Sequence, residues 1–287
     1  MLPNPPVQRA LPRNLMLLLA AIALSTVVHR AEASTYTLAR APQISAIALV
    51  DAWTPFLERL SNDTGETITL KVYQSRQTFE GDLFNGAPDF AFMNPYYAVL
   101  AKKRLGYAPL VRNGAETLRG VIVVRRDSPI QSVRDLEGAT IAFPDPNAMA
   151  ASLYPRAILT SEIGLSFKAQ YVGAHENVYR SVYLRQADAG GGVNTTFSSE
   201  PDELRSQLRV IWQTPDLPSH PLIAHPRVPR AVRDKITAAI LNMANDNQGR
   251  ALLKQVGLDT PILVDFERDF GHIENFGLEK YTVDLGR

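Results

Sequence analysis

From Tyr36 onward, short β-like apolar runs alternate with longer helical patterns, and this rhythm most constrains what the chain can fold into. Tyr36–Arg40 reads as a strand. Ile44–Leu60 reads as a helix, with Ile47, Val50, Phe56 and Leu60 among its apolar positions. Ile68–Val72 is a second strand, and a short helix is expected near Phe79–Phe84. Phe90–Met93 is a third strand, after which Pro95 suits the first turn of a helix. The pattern then restarts. Val121–Val124 is strongly β-like, Asp127-Ser128-Pro129 is a turn, and Thr140–Phe143 is a strand ended by Pro144 and Pro146. A helix over Ala148–Ile163, bent near Pro155, precedes Gln170–Val172, a helix over Glu176–Arg185 and the Gly-rich strand Ala187–Val193. Strands Leu208–Trp212 and Leu222–Ala224 follow, then helices over Pro229–Asn245 and Asn247–Val256 and a weaker one after Asp265. Such βαβα alternation predicts an α/β protein of two lobes, with helices on the faces of each sheet and the chain crossing between them. Ligands of open α/β sheets sit beyond the carboxyl ends of strands, so the loops there are the place to look for a site.

The segment before this rhythm reads as an address. Arg9 and Arg13 precede the apolar run Leu15–Val28, and Ala31-Glu32-Ala33 offers small residues where a signal peptidase reads. This order predicts a secretory leader over residues 1–33, cleaved before Ser34, and an extracytoplasmic, periplasmic mature protein. The whole chain has 30 basic and 29 acidic residues. The leader holds Arg9, Arg13, Arg30 and Glu32, which leaves 27 basic and 28 acidic residues, a net charge of −1. No basic surplus remains for a nucleic-acid partner. The chain has no cysteine, which excludes disulfides, a thiol nucleophile and a Cys-based metal site. His29, His175, His220, His225 and His272 are scattered without zinc-motif spacing, and no G-x-S-x-G, Walker loop or G-x-G-x-x-G is present. No metal, cofactor or catalytic set is expected, and the enzyme reading, a secreted hydrolase, stays a minor alternative.

Several segments, taken in order, resemble one family. Gly86-Ala-Pro-Asp-Phe-Ala-Phe-Met-Asn-Pro95, Val121–Ile130 followed by Asp135-Leu-Glu-Gly138, and Phe143-Pro-Asp-Pro146 with Pro155 are similar to segments of phosphate/phosphite/phosphonate-type ABC transporter substrate-binding proteins. So are Gly173-Ala-His-Glu-Asn177 with Ala187-Asp188-Ala189, Ile211–Pro215 and Ser219-His-Pro221. The resemblance runs from about Tyr36 to Leu263. It implies a type 2 periplasmic binding protein fold, with mixed sheets flanked by helices and two lobes that close on a ligand about a hinge. Lobe one is expected at residues 34–119 plus 219–287, the C-terminal helices packing back on it, and lobe two at 120–218. The implied function is capture of a small, phosphonate-like oxyanion for ABC import. The alternative partner is a membrane sensor kinase of a two-component system, and a monomer is the default state.

The candidate site residues follow from this reading. A helix beginning near Ala148 would aim its N–H groups and positive dipole end into the cleft. The resemblance implies small hydroxyl residues in that loop, where this chain has Ala148, Met149 and Ala150. Asn147 stands before the turn as a helix cap or a ligand contact. His175 matches the family's binding histidine. Arg76 follows the second strand near a position where the family has an aromatic residue, and its fork suits a two-oxygen anion. Asn94, Tyr96 and Tyr97 stand at the end of the third strand, one tyrosine expected to face the cleft. Thr195 and His220 occupy places where some family members hold an acid for a ligand's amino group, which makes a cationic aminoalkylphosphonate a poor candidate.

Overall fold

A computed structural model describes residues 34–283; the predicted leader, residues 1–33, lies outside the described residues. Among those described, no helix is long and apolar enough to cross a membrane. The alternation resolves into two mixed sheets. The first contains β1 (Thr35–Arg40), β2 (Thr67–Lys71), β3 (Phe90–Phe92), β4 (Ala108–Asn113), β12 (Pro221–Ala224) and β13 (Pro261–Leu263), in the order β13-β4-β12-β3-β1-β2. β1 runs parallel to β2 and β3, whereas β12 is antiparallel to β3 and β4 and β13 is antiparallel to β4. The second contains β6 (Gly120–Arg125), β7 (Thr140–Phe143), β8 (Lys168–Tyr171), β9 (Ala189–Val193) and β10 (Leu208–Gln213), in the order β10-β6-β9-β7-β8. The chain passes out through β5 (Thr117–Leu118) and returns through β11 (Leu217–Pro218), and these two strands pair antiparallel. At the crossing, the Gly120 N–H donates to Thr214 Oγ1 and the Thr214 N–H to the Gly120 carbonyl, each at 2.9 Å, and Arg119 is ion-paired with Asp216.

Period-two alternation explains the five-stranded sheet. Val121 and Val123 pack on one face with Val178, Tyr179 and Val182, while Ile122 and Val124 pack on the other with Ile141, Phe143 and Leu159. Helix α1 (Ala46–Thr64) buries Leu49, Trp53, Phe56, Leu57 and Leu60 against the six-stranded sheet and against α8 (Arg230–Met243) and α9 (Asn247–Gln255). Each such side chain contributes about 1.5–3 kcal/mol of burial. Ile47 and Val50, read in the sequence as part of that apolar face, are exposed instead; the buried stripe is centred on Leu49, Trp53, Phe56 and Leu60, and at about 100° per residue Ile47 points away from it and Val50 lies at its edge. The alternation does not foretell β4 and β13. β4 carries Pro109, which has no N–H for the ladder, and the register shift in β12 falls between Leu222 and Ile223, the latter opposite Pro109.

Helix α2 (Arg76–Phe84) starts three residues earlier than its apolar pattern, with Ser75 accepting from the Thr78 N–H, and α3 (Pro95–Leu105) starts at Asn94 and Pro95. After β7 the predicted helix is not a regular α-helix. Met149–Leu153 winds as a π-helical turn, Tyr154–Ala157 (α4) is α-helical and Ile158–Glu162 is π-helical again. Pro155 supplies no N–H, and the ladder widens to Tyr154 N–H donating to Met149. Helices α8 and α9 pack on α1, but the final 3-10 turns, Gly271–Phe276 and Leu278–Tyr281, reach the segment after β7. Phe276 stacks on Tyr154 with centroids 4.4 Å apart, and Arg156 donates to the Tyr281 carbonyl at 2.9 Å.

Candidate functional site

A cavity of about 600 Å³ lies where the two sheets' strand ends meet. Its walls come from the end of β1 (Arg40), the end of β3 (Phe92, Asn94), the turn Ala148–Ala151, and the N-terminus of α5 (His175–Tyr183). The start of α6 (Asn194–Ser198) and His220, just before β12, complete the lining. Of the sequence-predicted residues, Asn94, Ala148, Met149, Ala150, His175, Thr195 and His220 line this one cavity.

Three do not. Arg76 is the first residue of α2, buried, with Nε 3.0 Å from Asp145. It faces a smaller recess shared with Glu80, Asp145, Asn147 and Val283, because helix initiation at Ser75 turns it away from the cavity. Its charge still acts on His175, His220 and Arg40. Asn147 neither caps the following helix nor reaches the cavity. Its carboxamide is taken up by the Val283 backbone, donating to the carbonyl at 2.6 Å and accepting from the N–H at 2.9 Å, and it also donates to Glu80. Neither Tyr96 nor Tyr97 faces the cleft. The Tyr97 hydroxyl bonds Glu80, the Tyr96 backbone N–H donates to Met149 Sδ at 3.2 Å, and both rings are buried in the core. Asn94 is the α3 cap, its Oδ1 accepting from the Tyr97 N–H at 2.9 Å, which leaves its nitrogen for the cavity.

The turn after Ala148 is positioned by glycines in the sheet beneath it. A Cβ on Gly120 would lie 2.1 Å from the Ala150 carbonyl, and one on Gly191 2.5 Å from that of Ala151. Only glycine lets the turn rest this closely on β6 and β9. Ser152 and Leu153 N–H groups both donate to the Ala148 carbonyl. The N–H groups of Met149, Ala150 and Ala151, ahead of them, have no acceptor among the described residues. They form the donor end of a helical segment running to Glu162, on the cavity wall.

Burial and nearby cations hold two histidines of the wall neutral. Burial first, then Arg76, lowers His175 to about 4, and its Nδ1 stands 3.5 Å from Thr196 Oγ1. Burial, then Arg40, His175 and Arg76, lowers His220 to about 3; its ring meets Phe92 edge-on. Both histidines are neutral donors at physiological pH. Sequence reasoning missed Arg40. Its guanidinium lies over Phe92 and Trp53, 5.1 and 6.0 Å from the ring centroids, and on the cavity wall. The signal was present: a charged residue ends an otherwise apolar strand, at the carboxyl end where such sheets bind ligands.

Two mixed sheets joined by paired crossing segments, with a cavity between them at the strand ends, define the two-lobed type 2 periplasmic binding protein fold. The methylphosphonate complex of PhnD1 from Prochlorococcus marinus shares it with a TM-score of 0.77 at 16% identity, over 87% of this chain and 99% of that one. The chain belongs to the phosphonate-type periplasmic substrate-binding proteins of ABC transporters, whose family pattern it matches over residues 38–270. That family comprises the periplasmic substrate-binding components of phosphonate ABC transporters. It is 25% identical to the phosphonates-binding periplasmic protein of Escherichia coli over 221 residues, 71% of this chain and 65% of that protein. It is 23% identical to the phosphate-import protein PhnD of Mycolicibacterium smegmatis over 232 residues, 74% of this chain and 72% of that protein.

Proposed function

We propose that the protein captures a small oxyanion of the phosphonate class between its lobes and delivers it to an ABC permease. The observation that carries this reading is the three N–H groups of Met149–Ala151, without an acceptor among the described residues, converging with His175 on one cavity wall. Free N–H groups at a helix start bind anions by dipole and hydrogen bond together. A neutral histidine beside them donates without the cost of a buried charge. The hydroxyl side chains implied by the family resemblance are absent at Ala148, Met149 and Ala150, so backbone donors carry more of the load.

In this reading lobe one comprises residues 34–119 and 219–287 and lobe two residues 120–218, bending at the β5–β11 ribbon. The protein acts as a monomer released into the periplasm by cleavage after Ala33. A thermal-shift screen over phosphate, phosphite, methylphosphonate, 2-aminoethylphosphonate, methanesulfonate and arsenate tests it. Ligand binding to the folded state raises the melting temperature by mass action. Stabilisation by a phosphorus oxyanion, reduced by His175→Ala, is expected. A screen without any stabilising oxyanion, or a hit indifferent to His175→Ala, overturns the assignment.

A further inference from the structure

Resting on the oxyanion reading above, we propose that Arg40 and His220 form a second anion subsite on the wall built by the six-stranded sheet, so that the preferred ligand is a phosphonate bearing a second acidic group such as a carboxylate. Arg40 ends β1, the strand flanked by its parallel neighbours β2 and β3. Its Nη1 donates to the Ala41 carbonyl at 3.3 Å and its Nη2 to Gln43 Oε1 at 2.7 Å, while its Nε is sealed from solvent without a partner. Among the described residues it has no carboxylate partner, although fourteen other ion pairs are formed.

A guanidinium held over two aromatic rings without a counter-charge is costly unless something supplies the charge. It also stays charged: burial and the nearby Arg76 bring it down only to about 10. The ring faces of Trp53 and Phe92 fix its position, which leaves the remaining guanidinium donors for a planar two-oxygen anion. His220, lining the same cavity and held neutral beside Arg40, adds a donor without adding charge.

The size of the cavity agrees. About 600 Å³ falls in the range of organic ligands and exceeds what one carbon, one phosphorus and three oxygens fill. The phosphonate end takes the Met149–Ala151 N–H groups and His175 on the wall that follows β7, and the second acid takes Arg40 and His220 opposite. An ammonium group at that second position would meet Arg40's charge. Glu116, Glu176 and Glu200 also line the cavity, and they are the groups an amine-bearing ligand would use instead.

Calorimetric affinities of the wild-type protein, Arg40→Gln and Arg40→Lys for methylphosphonate, phosphonoacetate and 2-aminoethylphosphonate test the proposal. One charge-assisted contact is worth about tenfold or more in affinity. Phosphonoacetate is expected to bind wild type at least about tenfold more tightly than methylphosphonate. Arg40→Gln should erase that ratio while shifting methylphosphonate by only about threefold, and Arg40→Lys should keep part of it. Equal wild-type affinities, a ratio that survives Arg40→Gln, or a preference for 2-aminoethylphosphonate each overturn it. The wild-type ratio decides even if Arg40→Gln fails to fold. Absence of binding by every phosphonate sinks the oxyanion reading itself, whereas methylphosphonate binding without the preference sinks only the second subsite.

Discussion

Replacing Glu80 with glutamine should remove a pH dependence of stability that the structure builds into the contact beside the cavity. Glu80 lies on α2 and is 1% exposed. Its carboxylate accepts from the Tyr97 hydroxyl and from Asn147 Nδ2, at 3.3 and 3.4 Å from the latter, and faces Arg76 and Asp145. Burial outweighs these hydrogen bonds and the arginine, and lifts the carboxyl from 4.5 to about 7. The folded state therefore holds a proton that the unfolded chain has already released between those two pH values. Glu80's contribution is fully present below about pH 4.5 and is lost as pH rises through about 7, a total of about 3 kcal/mol. Glutamine keeps an acceptor for Tyr97 and cannot ionise. Urea denaturation of wild type and Glu80→Gln between about pH 5 and 8.5 reads the difference. The two proteins should match at the acid end, and the variant should gain by about 2–3 kcal/mol towards the alkaline end. Parallel pH profiles would refute the assignment of a buried, proton-holding carboxyl at this contact.

Two further outcomes follow from particular contacts. Gly192→Ala would place a Cβ 2.1 Å from the Tyr179 hydroxyl, whose bond to Thr196 Oγ1 at 2.7 Å backs His175. Overpacking there should cost about 1–3 kcal/mol in thermal denaturation, and an unchanged melting temperature would show that β9 shifts freely. Free His175 sits at about 4, and an anion beside it raises that value. Affinity for methylphosphonate should thus climb as pH falls from about 6.5 towards 4, with net proton uptake measured by calorimetry in buffers of different ionisation enthalpy. His175→Gln cancels the ligand's own titration from the comparison, and an identical pH slope in that variant would rule His175 out as the responding group.

The sequence by itself determined the class of fold and pointed to the strand ends where the cavity lies. Alternating apolar runs encode sheets and helices through local periodicity, so β1, β3, β6, β7 and β9 were legible, and with them the strand ends where Asn94, His175 and His220 converge. Family resemblance pointed to the Ala148–Ala150 turn and His175. The tertiary structure alone decided which polar residues face the cavity. Arg76, Asn147 and Tyr96 stand beside the right strands, but helix capping at Ser75, the Val283 backbone and burial in the core commit them elsewhere. Arg40 was hidden for the converse reason. At the end of an apolar strand it reads as a solvated charge, and only the packing of Trp53 and Phe92 beneath it, residues distant in sequence, turns it into a cation with no carboxylate partner among the described residues. Periodicity is a property of neighbours along the chain. The direction a side chain takes into a cleft depends on who fills the space around it, and those partners are set by the whole fold.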